Sequence, residues 1–156
     1  MTEKGHSDPG FPGSQLAPEP TFRWRTRVYW EDTDAGGVVY NANYLRFLER
    51  ARSEWMRAAG VSQAALRESH GIVFVVRELS IAYDQPARLD DELDSSVEVE
   101  RVRSASLDFR QIINRVADGA MLAHATVRVA CVDATRFVPC RIPRDIAALI
   151  QGNQPA

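Results

Sequence analysis

Three carboxylates stand close together near the start of the chain, at Glu31, Asp32 and Asp34. Gly36 and Gly37 follow them, and glycine allows tight or left-handed backbone conformations. A helical pattern starts soon afterwards. The first N–H groups of a helix have no intrahelical partner and carry the positive end of its dipole. A carboxylate beside such free amide donors can attack a carbonyl group that the donors polarise.

The helical pattern extends over residues 43–59 and separates an apolar face from a charged one. The apolar face recurs at the spacing of an α-helix and consists of Tyr44, Leu48, Ala51 and Trp55. The charged residues, assigned mostly to the other face, are Arg46, Glu49, Arg50, Arg52 and Arg57. We therefore expect the apolar face to be buried against a sheet, with Arg46 and Arg50 exposed.

Patterns typical of β-strands dominate the rest of the chain. They cover residues 21–30, 73–83, 93–102, 107–116 and 121–132, with a predicted hairpin turn at Asp118 and Gly119. Short helices are predicted at 62–70 and 143–150. One long helix followed by hairpin-connected strands indicates an α+β fold in which an antiparallel sheet packs on that helix. The second face of such a sheet is expected to need cover, which favours an oligomer.

Length and composition agree with one domain. The chain has 156 residues and is 45% hydrophobic, enough for one core. We assign the domain to residues 21–151 and interpret residues 1–20, which contain several prolines and glycines, as a disordered tail. The net charge of −2 at pH 7 provides no basic surface for nucleic acid. No run is apolar enough for a membrane span or signal peptide, so a cytoplasmic location is expected.

The two cysteines match no metal-binding or redox spacing. Cys131 lies in a strand-like run and is interpreted as a small buried hydrophobic residue, whereas Cys140 follows that strand. We therefore expect neither a metal nor a cofactor.

The segment EDTDAGGVVYNANYLRFLERAR, at 31–52, resembles the signature of hotdog-fold acyl-CoA thioesterases of the 4-hydroxybenzoyl-CoA thioesterase type. It is most similar to the bacterial subgroup associated with the Tol–Pal envelope system. FVVRELSIAYDQPARLDDEL at 74–93 and VRVACVDATRFVPCRIP at 127–143 extend the resemblance, which covers about residues 22–150. The resemblance implies a sheet wrapped around one long helix, dimers or tetramers, and hydrolysis of acyl-CoA to free acid and coenzyme A.

The resemblance also implies roles for two residues of the first motif. Asp34 matches the catalytic carboxylate, which acts as a general base for water or as a nucleophile on the thioester. The backbone N–H of Asn41 matches the donor that polarises the thioester carbonyl. Many members of the Tol–Pal subgroup have histidine at this position, and an asparagine cannot titrate in its place. Glu31 and Asp32 are interpreted as structural.

Substrate-binding residues are assigned from their place beside the motif or in the family pattern. Tyr40 and Tyr44 flank the acidic loop and are candidates for the acyl pocket or for the core. Arg101, Arg103 and Ser104 occupy the region that often holds coenzyme A phosphates in the family, and these groups suit phosphate. Solvated surface charge is the alternative for the two arginines.

Four other functions are considered. Asp32 and Asp34 resemble the acidic pair of haloacid-dehalogenase phosphatases, which also need a lysine later in the chain. Lys4 is the only lysine, and it precedes the pair. A calcium loop would need glutamate where Asn43 stands. A hotdog dehydratase would need a histidine that the motif lacks. A module that binds acyl-CoA or acyl carrier protein without hydrolysis remains open, and a thiol-release assay separates it from the enzyme.

Overall fold

The computed structural model describes residues 22–154, which form an antiparallel sheet with three helices. The elements in chain order are β1 (Phe22–Arg27), α1 (Asn43–Ala58), α2 (Gln63–His70), β2 (Ile72–Tyr83), β3 (Glu92–Val102), β4 (Ser106–Arg115), β5 (Met121–Asp133) and α3 (Arg144–Gly152). The strand order is β1-β3-β4-β5-β2, and every neighbouring pair is antiparallel. The predicted α+β architecture is confirmed, whereas the tail predicted at 1–20 lies outside the described residues.

The apolar face of α1 packs on the sheet as its spacing predicts. Tyr44, Leu48, Ala51 and Trp55 are all buried, and Trp55 meets Phe109 of β4 edge to face at 5.4 Å between ring centroids. Arg46 and Arg50 are exposed, also as predicted. The hydrophobic periodicity therefore gives the correct phase of the helix.

Arg52 departs from the predicted charged face, because its side chain is buried with 7% exposure. Its Nη1 donates to Oε1 of Gln111 at 2.8 Å. Gln111, on the inner face of β4, also donates through Nε2 to the carbonyls of Leu48 and Ser96 at 3.1 and 3.2 Å. The assignment of Arg52 to the exposed face was wrong because a polar residue of the sheet supplies a partner inside the core.

The outer face of the sheet carries charged pairs, and it also includes an apolar group formed by Ala82, Ile112 and Met121. Arg110 pairs with Glu98 at 2.8 Å, and Arg128 pairs with Asp108 at 2.9 Å. Cross-strand pairs of opposite charge suit a face in contact with water. A separate reason to expect an oligomer comes from β2, because it is an edge strand of 12 residues.

The two ends of the sheet carry different connections. Arg27 at the end of β1 pairs with Glu92 at the start of β3, so the loop from β1 to α1 lies at this end. The connection from β2 to β3 and the β4–β5 hairpin lie at the same end. The β3–β4 hairpin and the segment after β5 lie at the opposite end. None of the helices within residues 22–154 is long and apolar enough to span a membrane.

Candidate active site

The loop between β1 and α1 is tied to the connection between β2 and β3 by backbone hydrogen bonds. The N–H of Val28 donates to the carbonyl of Asp91 at 2.9 Å, and the N–H of Asp90 donates back to Val28 at 3.1 Å. Further along, the N–H of Val39 donates to the carbonyl of Ala87 at 2.9 Å. The acidic loop is therefore held at both of its ends.

Asp32 connects this loop to the start of α1. Its carboxylate is buried and accepts two hydrogen bonds, from the N–H of Tyr29 at 2.8 Å and from Nδ2 of Asn43 at 2.7 Å. Its carbonyl accepts the N–H of Tyr40 at 2.9 Å. With both carboxylate oxygens engaged inside the loop, Asp32 has the structural role that the sequence analysis assigned to it. Glu31 is exposed.

Asp34 lies on the outside of the same loop. Its Oδ1 accepts the N–H of Gly36 at 2.8 Å, and its backbone forms a tight turn through Val38 and Gly37, at 2.9 and 3.0 Å. A Cβ at position 36 would lie 3.0 Å from Oδ1, and Gly37 has φ +75°, so both glycines suit the turn. The second carboxylate oxygen, Oδ2, has no hydrogen-bond partner within residues 22–154 and is available to a substrate or water.

Asn41 precedes α1 and is fixed on two sides. Its carbonyl accepts the hydroxyl of Tyr83 at 2.8 Å, and its Oδ1 accepts the N–H of Ala42 at 2.9 Å. Its own N–H meets no acceptor in the part of the chain that the structure describes. The helix has no side-chain cap at its N-cap residue, Ala42. A free backbone donor at the positive end of a helix dipole suits a developing oxyanion.

A recess of about 290 Å³ opens beside Asn41. Its lining comes from the helix start, the end of β2 and the following connection, namely Val39, Asn41, Tyr44, Tyr83, Asp84, Gln85 and Pro86. Asp34 lies in the same loop but outside this lining. The recess therefore lies beside the N–H of Asn41 and not beside the carboxylate of Asp34. A substrate would have to extend from one group to the other.

The two predicted substrate-binding tyrosines have different surroundings. Tyr44 is 3% exposed, its hydroxyl accepts the N–H of Ala87 at 3.0 Å, and its ring meets Tyr83 edge to face at 5.2 Å. Burial raises the pKa of Tyr44 above its ordinary value, so the hydroxyl stays protonated at neutral pH. Tyr40 is 55% exposed and makes no part of the recess lining. Tyr44 is thus a core residue that also forms the wall of the recess.

Tyr83 and Asn43 were missed by the sequence analysis, although both position the loop. Tyr83 ends β2, and its contact with Asn41 joins residues 42 positions apart. Asn43 bonds to Asp32 over 11 positions, so its role depends on how the loop turns. A strand pattern that ends in an aromatic residue gives no signal of which loop it will meet.

Arg101, Arg103 and Ser104 lie at the β3–β4 hairpin, at the opposite end of the sheet from Asp34. β3 has 11 residues, so this hairpin is roughly 30 Å from the acidic loop at about 3.3 Å per residue. Arg103 is also engaged with Asp108 at 2.5 Å. One chain therefore does not bring the predicted phosphate-binding group to Asp34, and a shared site would need a second chain.

The fold and the loop together suit an enzyme that cleaves an activated acyl group. Residues 28–150 match the sequence family described as the thioesterase-like superfamily, and the chain belongs to that superfamily. The predicted family resemblance is confirmed by this match.

Curated relatives and solved structures agree with the family. The chain is 48% identical over 128 residues to the acyl-CoA thioester hydrolase YbgC of Escherichia coli O157:H7, covering 81% of this chain and 93% of that protein. It is 46% identical to the acyl-CoA thioesterase YbgC of Haemophilus influenzae, with 81% and 92% covered. A probable thioesterase from Bartonella henselae superposes with a TM-score of 0.73 at 35% identity, with 78% and 98% covered. The predicted hotdog fold is thereby confirmed.

Proposed function

We propose that this protein is an acyl-CoA thioesterase, which hydrolyses an acyl-CoA thioester to a free carboxylic acid and coenzyme A. The names of its YbgC relatives support this substrate class. The observation that carries the proposal is that one loop contains both a carboxylate oxygen of Asp34 and the N–H of Asn41, neither of which has a hydrogen-bond partner within residues 22–154. A carboxylate and an oxyanion donor are sufficient for a thioester, because this acyl group is already activated.

Asp34 supplies the reacting carboxylate in two possible routes. As a general base, Oδ2 takes a proton from water while the water oxygen attacks the thioester carbon. As a nucleophile, Oδ2 attacks that carbon itself and forms a mixed anhydride that water then hydrolyses. In either route the C–S bond breaks and the sulfur leaves as the thiolate of coenzyme A, which takes a proton. The bond from Gly36 orients Oδ1 and leaves Oδ2 free.

The backbone N–H of Asn41 stabilises the charge that develops on the thioester oxygen. The α1 dipole adds to this effect, since the donor lies just before the first turn. Asn41 cannot supply or accept the proton that a histidine at this position could transfer. The thiolate must therefore receive its proton from water or from Asp34, which holds one after acting as a base.

Substrate binding would be shared between two chains. The recess beside Asn41, with Tyr44 in its wall and Tyr40 at its approach, is proposed to contact the acyl group or the pantetheine arm. Arg101, Arg103 and Ser104 of a second chain are proposed to contact the coenzyme A phosphates. An acyl group carried on acyl carrier protein presents the same thioester and is the alternative substrate.

A homodimer or homotetramer would provide that second chain. Support comes from β2, which is an edge strand of the sheet that residues 22–154 form and exposes Val76 at 51%. Long edge strands favour pairing with another chain. We also propose a cytoplasmic location, where acyl-CoA substrates would be present.

Thiol release from a panel of short, long and aromatic acyl-CoAs, followed with a thiol-reactive dye, tests the proposed activity. Asp34→Asn should lower turnover by about 10²–10⁴-fold, the usual contribution of a positioned general base, while acyl-CoA still binds. Glu31→Gln is the matched control because it removes a neighbouring exposed carboxylate. Near-normal turnover in Asp34→Asn would disprove the catalytic assignment, and acyl-CoA binding by wild-type protein without thiol release would favour a binding module.

A further inference from the structure

The chain turns back on β5 directly after this strand ends. The N–H of Asp133 donates to the carbonyl of Val138 at 2.9 Å, and the N–H of Cys140 donates to the carbonyl of Cys131 at 3.0 Å. Between these bonds, Val132 and Pro139 form an antiparallel bridge. In this register Cys131 and Cys140 stand directly opposite each other.

The turn that makes this pairing is well fixed by local bonds. Oδ1 of Asp133 accepts the N–H groups of Thr135 and Arg136 at 2.9 and 2.8 Å, and Phe137 adopts φ +55°. On the far side, the N–H of Ile142 donates to the carbonyl of Ser104 at 2.8 Å. Both ends of the returning segment are therefore anchored, and the opposition of the two cysteines is a stable feature of the fold.

The two thiols are in contact, with 3.6 Å between their Sγ atoms. The N–H of Cys131 donates to the carbonyl of Ala105, so the two cysteines share only the bond that Cys140 donates. Directly opposed residues of antiparallel strands have Cα atoms about 4.5–5.5 Å apart. Disulfides span Cα distances of about 4.4–6.8 Å, so the backbone already has a suitable separation. Cys131 is fully buried, whereas Cys140 is partly exposed and can meet a small reagent.

We propose that Cys131 and Cys140 form a redox-active pair that a low-molecular-weight disulfide converts into an intrachain disulfide. Sequence spacing gave no indication of such a pair, since its geometry arises from the return of the chain along β5. The pair lies near Ile72 of β2, at the opposite end of β2 from Tyr83 and the candidate active site. Oxidation therefore links β5 to the segment that leads into α3, at the end of the sheet away from Asp34 and Asn41.

The reaction proceeds by two thiol–disulfide exchanges. Cys140, as thiolate, attacks one sulfur of oxidised glutathione, forming a mixed disulfide and releasing one glutathione thiol. Cys131 then gives up its proton and attacks Sγ of Cys140, which releases the second glutathione thiol and closes the intrachain disulfide. The protein loses two electrons and two protons, and one glutathione disulfide becomes two thiols.

The order of the two steps follows from the surroundings of each thiol. Burial, followed by the hydrogen bond with Cys140, raises the pKa of Cys131 to about 12. Cys131 is therefore a thiol at neutral pH and cannot make the first attack. The second exchange is the slow one, and its rate should rise as the pH is increased.

Peptide mapping of the full chain treated with oxidised glutathione tests the pair. Arg128, Arg136 and Arg141 place the cysteines in two tryptic peptides, 129–136 and 137–141. After blocking of free thiols, we expect these peptides to be joined by a disulfide and to separate on reduction. Recovery of both peptides with blocked thiols, glutathione remaining on Cys140, or chains crosslinked to each other would overturn the proposal.

Two variants and two further measurements complete the test. Cys140→Ser keeps the buried position intact and should show no disulfide, while Cys131→Ala should accumulate the glutathione adduct on Cys140. Oxidised wild-type protein should unfold at a higher Tm than reduced protein, by a few degrees, with an unchanged kcat for acyl-CoA hydrolysis. A fall in Tm on oxidation, or a lowered kcat that reduction restores, would contradict the separation of the pair from Asp34 and Asn41.

Discussion

At the scale of single residues, the candidate site combines a side-chain carboxylate, at Asp34, with a backbone N–H, at Asn41. The carboxylate of Asp34 is oriented through one oxygen by Gly36, while the carboxylate of Asp32 is fully used in holding the loop. The donor at Asn41 is a backbone group, so its position depends on the residues that fix the peptide. These differences lead to separate expectations for each substitution.

Asn41→Ala should reduce turnover much less than Asp34→Asn, by about tenfold. The substitution removes the bond from Oδ1 to the N–H of Ala42 but leaves the backbone N–H in place. Loss of one hydrogen bond typically costs about 0.5–1.5 kcal/mol, and the upper part of this range corresponds to about tenfold. Single-turnover thiol release on one good substrate gives the comparison. Equal damage in the two variants would show that the side chain, and not the backbone, carries the role.

Tyr83→Phe tests whether the position of Asn41 matters for catalysis. The hydroxyl of Tyr83 donates to the carbonyl of Asn41, and the phenylalanine ring keeps the packing against Tyr44. We expect kcat to fall by about fivefold, the effect of losing roughly 1 kcal/mol, with little change in KM or Tm. Tyr29→Phe is the control, since Tyr29 is 60% exposed and has no proposed contact with substrate. A fall in Tm that accompanies the fall in kcat would indicate a purely structural contact.

At the scale of elements, α1 both fills the core and presents its first turn to the site. Its inner face includes a polar contact, from Arg52 to Gln111, among the apolar residues. Desolvation by burial lowers the pKa of Arg52, although a guanidinium remains charged at neutral pH. A buried charge of this kind is stable only while its partner is present.

Arg52→Met should lower the free energy of unfolding by about 1–3 kcal/mol, because Oε1 of Gln111 loses its donor inside the core. Methionine keeps much of the apolar stem, so the loss reports mainly on the guanidinium. Arg50→Met is the matched control on the exposed face and should change stability by less than about 0.5 kcal/mol. Urea unfolding of the three proteins measures both effects. Equal stability of the two variants would argue against the buried contact.

Local patterns explain which elements could be predicted from the sequence. The helix at 43–59 and its apolar face follow from periodicity within one segment, and observed α1 ends within one residue of the prediction. Arg52 could not be placed correctly, because its partner Gln111 is 59 positions away in another strand. Tyr83 and the cysteine pair were missed for the same reason. Contacts that depend on how strands end and return leave no periodic signal.

At the scale of the whole molecule, the proposed catalytic and coenzyme A-binding residues lie at opposite ends of one sheet. The loop with Asp34 and Asn41 lies at one end, and the hairpin with Arg101 and Arg103 lies at the other. An antiparallel pairing of two chains along β2 would place opposite ends side by side. The proposed site is then complete only in an oligomer.

Complementation between two inactive variants tests this arrangement. Asp34→Asn should lose turnover because it lacks the proposed catalytic carboxylate. Arg101→Ala should show a raised KM for acyl-CoA with kcat retained. When the two chains are co-expressed, mixed dimers contain one site with both residues intact, so activity at low substrate should exceed that of either variant. Sedimentation should show a species larger than the 17.4 kDa chain. A monomer, or no gain in mixed samples, would rule out a shared site.

The backbone N–H donor at Asn41 has a genetic consequence, because it is present whichever side chain the codon encodes. Every codon at this position encodes the donor except those for proline, whose ring removes the hydrogen. Random mutagenesis should therefore find position 41 more permissive than position 34, although both groups are proposed to act on the same thioester. Selection at position 41 can then act on charge, size and proton transfer without endangering carbonyl polarisation.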